Sequence, residues 1–337
     1  MILTAFVTFL VSVSMASAAP VIRVGYIPVL GSSALFVIDG KGWAKEAGLD
    51  LQLVRFTSGP QAIQALVSGR IDAYVAGVLP LLQARGHGVD VKVLATGAIE
   101  ELAVVARGPL AAGLDISQPG GLTHEALQER FSHFKAVVGR NPKIAAQPQG
   151  SVPDTVLRYW LKEESGIAPD TVDIVGIDID AAQQAFLADA VDAAVLREPA
   201  LTIIRNRVPE ARILATGHDL MPDQPGSVFA VLHPDAPDRA AWKSKLTTLF
   251  VKATELLASH PEEAAPYVTS ALGDGLMKPA LIESALKASA RDFVSDPTRI
   301  EAGVKILQDF EVSQGLLHNA IPVDSLFDTV TWRQGVQ

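Results

Sequence analysis

Arg197 and Glu198 stand side by side at the end of an apolar run, 191–196, where a strand gives way to a helix. A guanidinium there can hold an anionic group through paired N–H donors, and the neighbouring carboxylate a cationic one; the alternative is a surface ion pair with nearby loops. A second candidate is the turn Gln149-Gly150-Ser151-Val152-Pro153-Asp154. Ser151 and Asp154 have capping-box spacing, and Pro153 suits a first helical turn. Gly150 lets backbone approach a ligand, and the free N–H groups of the helix start attract an anionic head group. The bland alternative for Ser151 is a cap and nothing more, although the same Gly-Ser pair recurs at Gly31-Ser32. Thr57, Ser58 and Gln61 supply neutral donors, with Ser58 open to a capping role as well.

These residues sit on a degenerate internal repeat. Segments 62–97 and 182–217 align without a gap at an offset of 120, and 12 of 36 positions are identical, including Asp72/Asp192, Arg85/Arg205 and a closing Leu-Ala-Thr-Gly. A period this long is no solenoid unit; it predicts two similar lobes in one chain. Arg197 and Glu198 replace Gly77 and Val78 of the first copy. In open α/β sheets ligands bind at the carboxyl ends of the strands, where helix N-termini converge. Two facing lobes would enclose a cleft lined by the turns 28–33, 57–61, 76–79 and 96–97 from one side and 147–152, 178–180, 197–198 and 216–218 from the other.

The elements that must position these turns alternate strand and helix. Strands are expected at 21–27, 49–56, 71–76 and 89–95, and again at 143–146, 172–177, 191–196 and 212–215, with helices between, including one from Gly31 to Ala47. That alternation predicts mostly parallel sheets covered on both faces. Runs 102–107 and 227–233 follow the two copies and are placed to cross between lobes. Residues after Pro234 are helical in pattern, and 108–139 reads as an insertion or surface excursion.

At 337 residues, with 49% hydrophobic and 19% charged residues, the chain is globular and long enough for two lobes. A net charge of −9 argues against a nucleic-acid surface. With no cysteine, disulfides, thiolate metal sites, a cysteine nucleophile and a lipid-anchored cysteine are excluded. Met1 to Val13 is apolar, and Ala16-Ser17-Ala18 fits a leader-cleavage rule before Ala19, although no Lys or Arg precedes the run. The expectation is a signal peptide, 1–18, and an exported, soluble mature protein. His124-Glu125 lacks the partner histidine of a zinc protease, and Gly40-Lys41-Gly42 lacks a third glycine. Trp43, Tyr159 and Trp160 read as packing residues. No catalytic constellation, metal site or cofactor is expected.

The runs VIRVGYIP, GWAKEAGLDLQLVRFTSGPQAIQALVSGRIDAYVAG, QGSVPDTVLRYWL and DAAVLREP, in this order over 21–233, resemble the periplasmic substrate-binding proteins of nitrate/sulfonate/taurine ABC importers. The C-terminal IPVDSLFD is similar too. The resemblance implies an α/β, bilobed type II periplasmic binding fold, with two parallel-type sheets and two crossing strands. Lobe I would comprise 19–106 and 227–337, and lobe II 107–226. It further implies a small-molecule solute, an ABC permease with its ATPase as partners, a monomer, and hinge closure about the crossing segments. Family contacts fall on Leu30, Gly31, Ser32 and Ser33, on Ser58, Gly59 and Gln61, on Gly77 and Val78, and on Gln149, Gly150 and Ser151. Glu198 matches the acid of the family's aromatic-acid-proline turn, while Arg197 stands where an aromatic residue is common, so the ligand's shape is left open. Relatives that bind pyrimidines or aromatic ligands, a receptor feeding a sensor, and a pyrimidine-precursor synthase on the same fold are the alternatives; the synthase's cysteine-rich motif is absent.

Overall fold

Val21–Tyr26, Asp50–Arg55, Ala73–Gly77 and Val91–Thr96 form strands β1 to β4 in the computed structural model, which describes residues 19–272 and 278–337. The expected signal peptide, 1–18, lies outside the described residues. Ala103–Ala106, Lys143–Ala146, Asp173–Gly176, Ala193–Leu196 and Arg212–Ala215 are β5 to β9, and Ser227–Leu232 is β10. They assemble into two five-stranded sheets, ordered β2-β1-β3-β10-β4 and β7-β6-β8-β5-β9. β1 pairs in parallel with β2 and β3, and β6 with β7 and β8. β10 runs antiparallel between β3 and β4, and β5 antiparallel between β8 and β9. β10 follows the second repeat copy yet joins the first sheet, and β5 follows the first copy yet joins the second; these are the two crossing runs. Every residue of β5 and β10 is buried, as expected of apolar strands covered on both faces. β5 groups with the second sheet, so the chain changes sheets within 97–102, ahead of the expected boundary at 106.

The strongest identity of the repeat proves to be architectural. Asp72, just before β3, accepts the main-chain N–H of Arg23 in β1 at 2.9 Å, and Asp192, just before β8, accepts that of Lys143 in β6 at 2.7 Å. Each carboxylate is also gripped by an arginine fork, Arg23 at 2.9 and 3.0 Å and Arg140 at 2.6 and 2.9 Å. Asp72 takes a further bond from Arg239 at 2.6 Å. Burial pushes the Asp72 carboxyl up, but the bonds from Arg23 and Arg239 outweigh it and hold the group below its usual range. These aspartates pin neighbouring parallel strands in register.

Two helical expectations change. The stretch after β1 is a 3₁₀ turn, Leu30–Ser32, then helices Ser33–Gly40 and Trp43–Glu46, because Gly42 takes φ +73 and breaks the run. Residues 108–139 are no loose excursion. Thr123 caps a helix, His124–Val138, that buries Leu127, Phe131 and Phe134 along one stripe and stops at Gly139 in the left-handed region. In the C-terminal part, Glu301–Ser313 packs against both the helix Leu79–Gly86 and the helix Val152–Tyr159, one from each sheet's layer. Among the described residues no helix is long and apolar enough to cross a membrane.

Candidate functional site

The carboxyl ends of the two sheets face each other, and their turns touch. Leu30 N donates to Glu198 O at 3.1 Å, and Ile179 N to Thr57 O at 3.4 Å. Gln61 accepts from Thr57 Oγ1 at 2.9 Å and donates to Asp178 Oδ2 at 3.4 Å. At the exposed rim Arg55 and Asp180 pair at 2.7 Å, a contact worth little in water. A Cβ on Gly77 would lie 2.7 Å from Val152 Cγ2, so only glycine lets the turn after β3 meet the helix start after β6.

The candidate residues divide by what they do. Gly150 has φ +82 and lies against Gln83 of the first sheet's layer; a Cβ there would be 3.2 Å from its Nε2. Ser151 caps its helix, accepting Asp154 N at 3.4 Å. Ser32 does not repeat that device: its hydroxyl turns back to donate to Ile27 O at 2.8 Å, and its helix start has no side-chain cap. Leu30, Gly31, Ser33, Ser58, Gly59, Gly77 and Val78 are buried around the junction, and the Ser33 hydroxyl has no hydrogen-bond partner among the described residues. Ser58 does not bond to its helix, whereas Gln149 is exposed.

Glu198 is bonded to its own helix. Its carboxylate accepts Thr202 N at 2.9 Å and Thr202 Oγ1 at 3.0 Å, capping the helix Ala200–Arg207. Burial raises its pKa, opposed by those two bonds. The carboxylate that Arg197 meets is Glu101, in the crossing segment: Arg197 Nη1 lies 2.9 Å from Glu101 Oε1. The guanidinium is 2% exposed and the carboxylate 9%. Arg197 Nε and Nη1 and Glu101 Oε2 make no hydrogen bond among the described residues. Each buried donor or acceptor left so costs about 1–3 kcal/mol. Ser227, at the head of β10, donates to Glu101 Oε1 at 2.9 Å, and Glu101 Oε2 would sit 2.3 Å from a Cβ on Gly31. The Arg197 charge also acts on Tyr74 of β3. Burial pushes that phenol well above its usual range, Arg197 pulls the other way, and its hydroxyl donates to Gly77 O at 2.8 Å.

Glu101 was missed by the sequence reading. The available signal was the acidic pair Glu100-Glu101, two residues beyond the first Leu-Ala-Thr-Gly, where the second copy has Leu220 and Met221. Beside the junction a cavity of about 170 Å³ is bordered by Glu100, Glu101, Glu198 and Asp292, with Arg205 and Arg291. Asp292 is pushed up to about 6 by burial, with Arg291 opposing and Glu100 and Glu101 adding. Glu100 accepts Asp223 N at 2.7 Å and faces His218 Nδ1 at 3.0 Å, which raises the histidine. Among the described residues no group of three or more His, Asp or Glu is placed to hold a metal ion. The arrangement offers buried charge of both signs and glycine-lined backbone approach, the equipment for holding a small charged molecule.

The sequence is 27% identical over 260 residues to a Brucella abortus protein provisionally named a binding protein, covering 76% of this chain and 73% of that one. It is 26% identical over 253 residues to a Bacillus subtilis protein provisionally named for binding aliphatic sulfonates, covering 72% and 67%. The fold matches the periplasmic nitrate-binding protein of Synechocystis PCC 6803 with a TM-score of 0.77 at 16% identity, over 94% of this chain and 88% of that chain. It matches the alkanesulfonate-binding protein of Xanthomonas axonopodis pv. citri, bound to MOPS, at 0.71 and 21% identity, over 93% and 99%. The NMT1-like family model covers residues 16–272, and with two mixed sheets that exchange a strand each, in the fold of periplasmic binding proteins, the chain belongs to the NMT1-like family.

Proposed function

We propose that this chain is the solute-binding receptor of an ABC importer, and that it captures a small anionic or zwitterionic solute where the turns of its two sheets meet. The observation that carries the reading is the Arg197 guanidinium, 2% exposed at that junction, with Nη1 held only by the Glu101 charge contact and Nε without a hydrogen bond among the described residues. Family membership and the sulfonate- and nitrate-binding names of its relatives support the class of solute. In this reading β1–β4 and β10 build one lobe and β5–β9 the other, and the segments 97–102 and 216–226 act as the hinge. The permease and its ATPase are the partners, the receptor works as an exported monomer cleaved before Ala19, and the solute is released unchanged.

A thermal-shift panel of nitrate, taurine, alkanesulfonates, aromatic sulfonates, carboxylates and pyrimidines tests the proposal. A compound bound at one site, at a hundredfold over its dissociation constant, stabilises the native state by about 2.7 kcal/mol. Mass spectrometry should recover that compound intact, and the mature chain should begin at Ala19. Turnover of the stabilising compound refutes the receptor reading in favour of an enzyme.

A further inference from the structure

Arg197 and Glu101 are more deeply buried than the two arginine-aspartate pairs that hold the strands, and they are built differently. Arg23 on Asp72 and Arg140 on Asp192 are forks, with two side-chain hydrogen bonds between each pair and a main-chain donor to the same carboxylate. Those pairs fix strand register. Arg197 meets Glu101 through one charge contact, leaving Nε and Nη1 on one partner and Oε2 on the other without hydrogen bonds among the described residues. Both side chains are at least nine-tenths buried. A structural pair this deep is ordinarily satisfied through aligned bonds, and buried polar atoms left over mark a site with another task.

The surroundings bring glycine backbone directly against these buried atoms. Gly31 has no side chain, and any Cβ there would collide with Glu101 Oε2 and Ser227 Oγ. Gly77, the repeat's counterpart of Arg197, likewise leaves its place to the helix start at Val152. Leu30 N donates to Glu198 O at 3.1 Å and Ser227 of β10 donates to Glu101 at 2.9 Å, so the pair lies where the two units meet.

Resting on the receptor reading above, we propose that Arg197 and Glu101 together select a zwitterion, with the solute's sulfonate or carboxylate on the Arg197 guanidinium and its ammonium on Glu101. A guanidinium presents parallel N–H donors that match a sulfonate or carboxylate edge. A simple anion placed there would leave the buried Glu101 charge facing a second negative group, and the desolvated interior magnifies that repulsion. An ammonium removes it and supplies donors to Oε2.

Matched pairs of probes test this: taurine against ethanesulfonate, and β-alanine against propionate, titrated calorimetrically into the full mature protein. The wild type should prefer the ammonium-bearing member of at least one pair by a hundredfold or more. Glu101→Gln should bring that preference within about threefold, and Arg197→Gln should abolish binding of both members, with folding checked by circular dichroism. Equal affinity for the two members of both pairs, or an unchanged preference in Glu101→Gln, overturns the inference. Tight binding of a simple anion or of an uncharged pyrimidine from the wider panel overturns it too, while leaving the receptor reading in place. Failure of every compound in the panel to bind removes both readings.

Discussion

Asp292→Asn should stabilise the protein at neutral pH, and only there. The Asp292 carboxyl is raised from 3.8 to about 6, first by burial, with the Arg291 guanidinium opposing and the Glu100 and Glu101 charges adding. Its one ion pair, to Arg291 Nε, is long at 3.6 Å. A carboxyl with a raised native pKa holds its proton more tightly folded than unfolded. Its contribution is therefore most favourable below about pH 4 and is lost as pH rises through about 6. At roughly 1.4 kcal/mol per pKa unit the full difference is about 3 kcal/mol, and screening at 21% side-chain exposure trims it to about 2–3 kcal/mol. Asparagine keeps the shape and never ionises. Urea unfolding of both proteins at pH steps from 4 to 8 should give similar stabilities at the acid end, curves that part between 4 and 6, and a constant gap above. A gap that is the same at every pH would refute the assignment of the cost to the ionised carboxylate.

Asp72→Asn should cost about 3 kcal/mol, because it strands two arginines gripping a carboxylate that is 5% exposed. Its native pKa is depressed, so the wild type should lose this advantage as pH falls below about 4, narrowing the gap in acid urea melts. Phe134→Ala should destabilise by about 3–5 kcal/mol in thermal or urea unfolding, since the ring is 1% exposed under the helix His124–Val138; a loss under 1 kcal/mol would mean that helix is only loosely attached. Gly77→Val should drive a side chain into Val152, at an overpacking cost of about 1–3 kcal/mol. That cost falls on the contacted arrangement of the turns, so the affinity for the stabilising compound of the panel should fall tenfold or more by calorimetry, and unchanged affinity would show that the turns need not meet to bind.

Strands were the most legible part of the sequence, because a short apolar run between turn residues leaves few alternatives. Lys143–Ala146 and Arg212–Ala215 match their expected bounds to the residue. The helix beginning at His124 was hidden by the glycines, prolines and serines of 108–123, although Leu127, Phe131 and Phe134 stand at helical spacing on an otherwise polar segment. At the site, Arg197 was visible as a departure from the repeat. The direction of Glu198 was not, because an acid beside a helix start can face the ligand or its own helix, and here the free N–H and hydroxyl of Thr202 decide it. The pairing of Glu101 with Arg197 was hidden for a topological reason: the two meet only because β5 inserts antiparallel beside β8, a pairing that no local pattern announces.

The exchanged strand β10 also sets an order of assembly. β3 and β4 follow one another in the chain yet never pair; the strand between them arrives only at Ser227–Leu232. A nascent chain that has not reached that point holds four strands with a gap in the middle and two apolar edges unpaired, which is the form in which polypeptides aggregate or engage chaperones. The second sheet carries no such debt, since β5 to β9 all lie within 103–215. The middle of the polypeptide is thus free to fold ahead of its beginning. The N-terminal strands wait for a partner synthesised long after them, and closing that long loop is the slow, entropically costly step of folding.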